Sequence, residues 1–141
     1  MPQLSNKTLI TIAGPTASGK TALAIELAKK WNTVIISADA RQFYTEMSIG
    51  TAKPSAEELA AVPHYFINNL SVQQPYDVGK YAAEVLELLD TLFQQHDKII
   101  LCGGSGLFIL GVCQISMMRC NRSTSSKAPL IKATPPMVCC P

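Results

Sequence analysis

Between Gly14 and Thr21 the sequence reads GPTASGKT, the GxxxxGK[ST] spacing of a phosphate-binding loop. In such a loop the backbone N–H groups of Gly14, Pro15's successors Thr16, Ala17 and Ser18, and Gly19 turn inward on an anion. The positive end of the following helix adds to them. Lys20 supplies a mobile positive charge for phosphate oxygens, and the Thr21 hydroxyl is a ligand for Mg²⁺. The loop says which group is held, not whether that group is transferred, hydrolysed or expelled. A second candidate is Asp39, at the end of an apolar run. A carboxylate opposite a phosphate loop can hold Mg²⁺ or act as a general base, and it can equally cap a turn. His64 and His96 lack metal-ligand spacing and receive no role.

Those groups need rigid elements to position them. KTLITIAG (7–14) is a β-branched apolar run ending in glycine, which predicts a buried strand entering the loop. From Gly19 to Trp31 the period becomes helical, with Leu23, Leu27 and Trp31 four apart, Ala24 and Ala28 beside them, and Asn32 as a stop. TVIISAD (33–39) predicts a second buried strand with Asp39 at its carboxyl end. Ser55 and Glu58 form a capping box for a short helix that Pro63 ends. HYFINNL (64–70) fits either a strand or an extended connection. Asp77 caps a long amphipathic helix with apolar positions Val78, Tyr81, Val85, Leu88, Leu89 and Leu92. KIILCGGSGLFI (98–109) predicts a third strand turning at Gly103-Gly104 into another helix. Strands alternating with helices predict an α/β fold: a P-loop NTPase-like parallel sheet covered by helices on both faces. In such a sheet ligands bind at the carboxyl ends of the strands, where the loop and Asp39 both lie.

Composition agrees with a folded domain: 48% hydrophobic and 16% charged residues over 141 positions. The first apolar run, Leu9 to Ala13, is too short for a membrane span or a secretory signal, so a cytoplasmic location is expected. Cys102 sits in an apolar run and reads as a small buried hydrophobe. Cys113, Cys120, Cys139 and Cys140 form no paired CxxC units, which argues against a zinc site. Up to Val112 the chain has 8 basic and 10 acidic residues; beyond it there are 4 basic residues and no acidic ones. With that shift and no sustained periodicity, residues 113–141 are expected to be a divergent, poorly structured tail behind a core at 1–112. Four scattered positive charges are too few for a strong nucleic-acid footprint.

AGPTASGKTALAIELA, IISADARQFYTEMSIGTAKPS, VPHYFINNL, YDVGKYAAEVLELLD and CGGSGLFI follow one another in this order. Over residues 7–112 the chain resembles the amino-terminal part of the tRNA dimethylallyltransferases. The phosphate loop alone does not separate this family from nucleotide kinases; the stretches 39–54 and 103–109 carry the distinction. The resemblance implies transfer of a dimethylallyl group from dimethylallyl diphosphate to the exocyclic N6 amine of the adenosine beside the anticodon of tRNA. It implies that the loop grips the diphosphate leaving group, with Mg²⁺ on Thr21 and no nucleotide hydrolysis. Asp39 would hold the amine and take its proton.

By the same matching, Asp39, Ala40, Arg41 and Gln42 form the segment that meets the tRNA anticodon stem-loop, and Ser105 makes a further tRNA contact. Ala40 stands where serine is usual, and Ser105 where threonine is also common. Lys53 reads as a second phosphate or tRNA contact, or as an exposed lysine. Nothing after Val112 matches, so the resemblance implies a core incomplete at the carboxyl end, without the helical region that grips the anticodon stem. It leaves open whether this chain is active. Three alternatives stay open: an adenylate isopentenyltransferase acting on free nucleotide, a small-molecule P-loop kinase, and a non-catalytic diphosphate-binding fragment. A kinase would need lid arginines, and Arg41 is the only arginine before Val112.

Overall fold

A computed structural model of the chain describes residues 7–15, 19–39, 54–67, 77–104 and 106–122, with side chains as far as Ile115 in the last stretch. The apolar runs become strands and the helical periods become helices, in the order β1 (Thr8–Ala13), α1 (Lys20–Trp31), β2 (Ile35–Ser37), α2 (Ala56–Ala61), β3 (His64–Tyr65), α3 (Val78–Leu92), β4 (Lys98–Gly103) and α4 (Gly106–Arg122). The sheet order is β1-β4-β2-β3 and every pairing is parallel. Strands that are neighbours in sequence are therefore joined by crossovers that carry the helices onto the sheet faces. HYFINNL resolves into a two-residue strand, His64–Tyr65, and residues 68–70 lie outside the described stretches.

Alternation along β4 decides what each face buries. Ile99 and Leu101 join Leu9, Val34, Ile36 and Ala38 under α3 and α4. Ile100 and Cys102 join Ile12 and Ile35 under Ala24, Ile25 and Ala28 of α1. Both faces are thus covered, which is why β2 and β4 read as unbroken apolar runs instead of alternating ones. The bound on α1 is local: Gly19 takes the left-handed region at φ 83°, and Asn32 closes the helix at φ 49° with its N–H on the carbonyls of Ala28 and Lys29. Lys29 and Lys30 in its last turn complement the negative end of the helix. The capping box on α2 is present in both directions, and the Asp77 carboxylate accepts from the Lys80 N–H at 2.8 Å to start α3.

α4 departs from expectation. It continues through the anticipated boundary after Val112 as far as Arg122. Val112 is wholly buried, and Cys113 and Ile115 pack against the α3 side of the core. Phe108, Ile109, Val112, Cys113 and Ile115 keep helical spacing, but Gly111 and Gln114 interrupt it and make the pattern weak in one dimension. Gly111 has a packing reason: a Cβ there would meet Val78 Cγ1 at 2.6 Å, so its absence lets α4 lie close along α3. Residues 123–141, the rest of the expected tail, lie outside the described stretches.

Candidate functional site

Three strands end in step at one edge of the sheet. Ala13 pairs with Gly103 and Ser37 with Cys102, so the loop after β1, the turn after β4 and Ala38-Asp39 after β2 emerge side by side. Ala38 N–H donates to the Cys102 carbonyl at 2.8 Å, extending that pairing one step. Gly103 makes it possible: a Cβ there would fall 2.4 Å from Ala38 C and 2.5 Å from Ala38 O. A backbone that close admits no side chain.

Gly104 is the next point along. A Cβ on it would meet Asp39 Oδ2 at 3.5 Å, the Gly14 carbonyl at 3.5 Å and Lys20 Nζ at 3.8 Å. The carboxylate, the first turn of the phosphate loop and the ammonium thus converge on one spot that glycine leaves open. Lys20 is 6% exposed and Asp39 8% exposed. Lys20 Nζ folds back to donate to the Pro15 carbonyl at 3.0 Å, which holds the charge over the loop. Beneath it, Cys102 Sγ donates to the Lys20 carbonyl at 3.8 Å. Burial pushes the Cys102 thiol up to about 11; Lys20 pulls the other way, and Asp39 adds to the rise.

On the far side of β2, Tyr81 is fully buried and its hydroxyl donates to the Ser37 carbonyl at 2.7 Å. Its ring meets Phe66 and Phe108 edge to face at 5.2 and 5.0 Å. That contact ties α3, α4 and the end of β2 together two residues before Asp39. Nothing in the sequence singles Tyr81 out from the other apolar positions of its helix. A narrow recess, lined among others by Thr21, Ser37, His64 and Cys102, lies on the α1 side of the same edge.

The structure therefore brings Gly14, Lys20 and Asp39 together at Gly104, with the Pro15 carbonyl bonded to Lys20, while Gly19 and Thr21 flank Lys20 in the chain and Thr21 lines the recess. Thr16, Ala17, Ser18, Ala40, Arg41, Gln42, Lys53 and Ser105 lie outside the described residues. His96 stands at the opposite end of the strands, where its carbonyl accepts from Lys7 Nζ at 3.4 Å. Among the described residues no cluster of three or more His, Cys, Asp or Glu side chains could hold a metal ion by itself. No helix there is long and apolar enough to cross a membrane.

A parallel sheet whose first strand runs through a GxxxxGK[ST] loop into a helix, with an acid at the end of β2 one strand beyond the adjacent β4, defines an α/β protein of the P-loop NTPase-like class. Within that class, a family model described as IPP transferase matches residues 42–133, and the chain belongs to that family. The match runs past Val112, as α4 does. A tRNA dimethylallyltransferase of Cytophaga hutchinsonii is 53% identical over 104 residues, covering 74% of this chain and 34% of the relative. Among solved structures, the tRNA isopentenylpyrophosphate transferase of Bacillus halodurans superposes with a TM-score of 0.71 at 37% identity, over 75% of this chain and 35% of that one. The Staphylococcus epidermidis tRNA delta(2)-isopentenylpyrophosphate transferase gives a TM-score of 0.70 at 33% identity, over 85% and 43%. The chain spans about a third of the length of the curated relatives it matches.

Proposed function

We propose that the chain carries the donor-binding and proton-accepting half of a dimethylallyl transfer to tRNA, from dimethylallyl diphosphate to the N6 amine of the adenosine beside the anticodon. The observation that carries this reading is the convergence of Lys20, the Gly14 turn and Asp39 on the open spot at Gly104. A diphosphate held by the loop amides would lie against Lys20, and an acceptor amine entering over Gly104 would meet Asp39.

The step balances without an outside reagent. The allylic C–O bond breaks and its electron pair leaves with the diphosphate, where Lys20 and the loop amides meet the growing negative charge. The N6 lone pair forms the new C–N bond, and the proton that the amine then sheds passes to the Asp39 carboxylate. A buried ammonium fixed in place before reaction supplies this stabilisation without reorganising.

The donor set also suits Mg²⁺. Thr21 offers one hard oxygen, too few for a closed cage, and Mg²⁺ characteristically takes the rest of its shell from phosphate oxygens and water. Thr21 would hold it beside the diphosphate. Bound there, Mg²⁺ would neutralise leaving-group charge.

The membership of the family and the names of its relatives support tRNA as the acceptor. The direct experiment incubates the chain with labelled dimethylallyl diphosphate, Mg²⁺ and unmodified tRNA, alone and joined to the carboxyl-terminal part of an IPP transferase relative. Label in tRNA is the expected result from the joined protein. Label in adenosine monophosphate instead would assign an adenylate isopentenyltransferase. Phosphoryl transfer from ATP would assign a kinase, and diphosphate binding with no transfer in either form would assign a binding fragment.

A further inference from the structure

We propose that His64 is a positioning residue of the diphosphate site: one water in the recess that both residues line accepts from the Thr21 hydroxyl and donates to His64 Nε2. The inference rests on the reading of the loop as a diphosphate site and extends it to a residue whose sequence context assigns it nothing.

The imidazole is set from the other side. Its Nδ1 lies 2.7 Å from the Val62 carbonyl, and a carbonyl only accepts, so Nδ1 carries the proton. In the neutral ring Nε2 is then a bare acceptor. Burial draws the imidazole below its ordinary range, against opposing pulls from the Val62 carbonyl and the Glu58 carboxylate, so the neutral form prevails near neutrality. Nε2 is itself buried and has no hydrogen-bond partner. A buried acceptor without a donor is uncommon enough to call for one.

Among the described residues, the recess that His64 lines offers few donors. Ala24, Ile35 and Ile67 form apolar wall, while Thr21, Ser37 and Cys102 bring polar hydrogens. The Cys102 thiol is engaged with the Lys20 carbonyl, and Ser37 has a further interaction of its own. That leaves the Thr21 hydroxyl. The recess has room for about one water molecule, which can bridge the two side chains. A hydroxyl has one proton and two lone pairs. Committing the proton to the water held by His64 leaves the lone pairs for a cation at the diphosphate, which is how an outer partner orients a metal ligand.

β3 explains why a histidine two residues after Val62 can do this. The pairing of Ile35 with His64 sets β3 against β2, on the α1 side of whose edge the loop stands. The Pro63 carbonyl accepts from Ile35 N–H at 3.0 Å and fixes the strand just ahead of the ring.

The test titrates inorganic diphosphate into the chain by calorimetry across a series of Mg²⁺ concentrations. In His64→Asn the side-chain amide can still donate to Val62 but offers no acceptor at the Nε2 position. It should raise the Mg²⁺ needed for half-maximal binding about tenfold. His64→Gln, whose longer side chain reaches that position with an oxygen, should recover most of the loss. Diphosphate binding without metal, which depends on Lys20 and the loop amides, should be equal in all three proteins. Unchanged Mg²⁺ dependence in His64→Asn, or an equal loss without metal, overturns the proposal.

A ligand-free arm measures the bridge itself: the ¹⁵N resonance of His64 Nε2 should move in Thr21→Val and stay in Thr21→Ser. No movement in Thr21→Val overturns the bridge. A wild-type chain that binds no diphosphate would overturn the loop reading instead, with the resonance arm still deciding the His64–Thr21 bridge.

Discussion

Lys20 and Cys102 are neighbours that the sheet forces together, and they share one electrostatic setting. Cys102 lies beneath the loop, its thiol bonded to the Lys20 carbonyl and its pKa raised from 9.0 to about 11, chiefly by burial. A thiol with a raised folded pKa contributes stability in its protonated form. That contribution is complete below about pH 9 and is lost as the pH climbs from 9.0 towards 11, where the unfolded thiol ionises and the folded one does not. The loss across that window is on the order of 2 kcal/mol. Urea unfolding of wild type and Cys102→Ala at pH 8 and pH 10.5 measures it. Wild type should lose that much more stability than the variant over the interval, and parallel pH curves would remove the effect. The same protonated state makes Cys102 a poor nucleophile, in keeping with its place in the core and not in the chemistry.

Elements meet here through glycines. At the β2–β4 seam a Cβ on Gly103 would collide with the backbone of Ala38, which cannot swing aside as a side chain would. Gly103→Ala should therefore cost about 3 kcal/mol in denaturant unfolding. Gly106→Ala is the control: open space surrounds that Cβ position, and its effect should stay within about 0.5 kcal/mol. An equal effect at both would mean that the seam yields. Gly111 plays the corresponding part between α3 and α4, where it admits Val78. Because Cys113 and Ile115 pack on the α3 side of the core, cutting the chain after Val112 should lower the thermal midpoint by about 4–8 °C relative to a cut after Arg122, the scale of 1 kcal/mol in a small domain. Equal midpoints would show that α4 contributes nothing to the core beyond Val112.

At the scale of the molecule, the question is whether donor binding and proton transfer separate. Lys20 and Asp39 approach Gly104 from different elements: one from the start of α1, the other from the end of β2. In the chain joined to the carboxyl-terminal part of a relative, Asp39→Asn should keep affinity for dimethylallyl diphosphate and reduce single-turnover transfer about 100-fold. If the substitution abolishes Mg²⁺-dependent diphosphate binding while the chemical step survives, Asp39 serves the metal and the proton goes elsewhere. The parallel sheet makes the separation possible, since its strand ends deliver independent groups to one edge.

Local order in the chain determined a great deal. The loop, its strand and its helix are contiguous, so spacing alone revealed Gly14 to Thr21. Likewise Asn32, the Ser55–Glu58 box and Asp77 act within a turn of where they stand, and each is where its residue type predicts. Period also revealed which runs are buried strands and which are amphipathic helices. Tertiary structure alone decided what those elements meet. No feature of residues 98–104 says that β4 lies between β1 and β2, yet that order is what sets Gly104 between Asp39 and Lys20. No feature around residue 112 says that α4 continues, because Cys113 and Ile115 gain their apolar partners only from α3. His64 reads as a lone imidazole for the same reason: its tautomer comes from Val62 nearby, but the recess it shares with Thr21 exists only in the fold. Backbone preference is written over a few residues, whereas a site is assembled from contacts between residues tens of positions apart, and only folding supplies those.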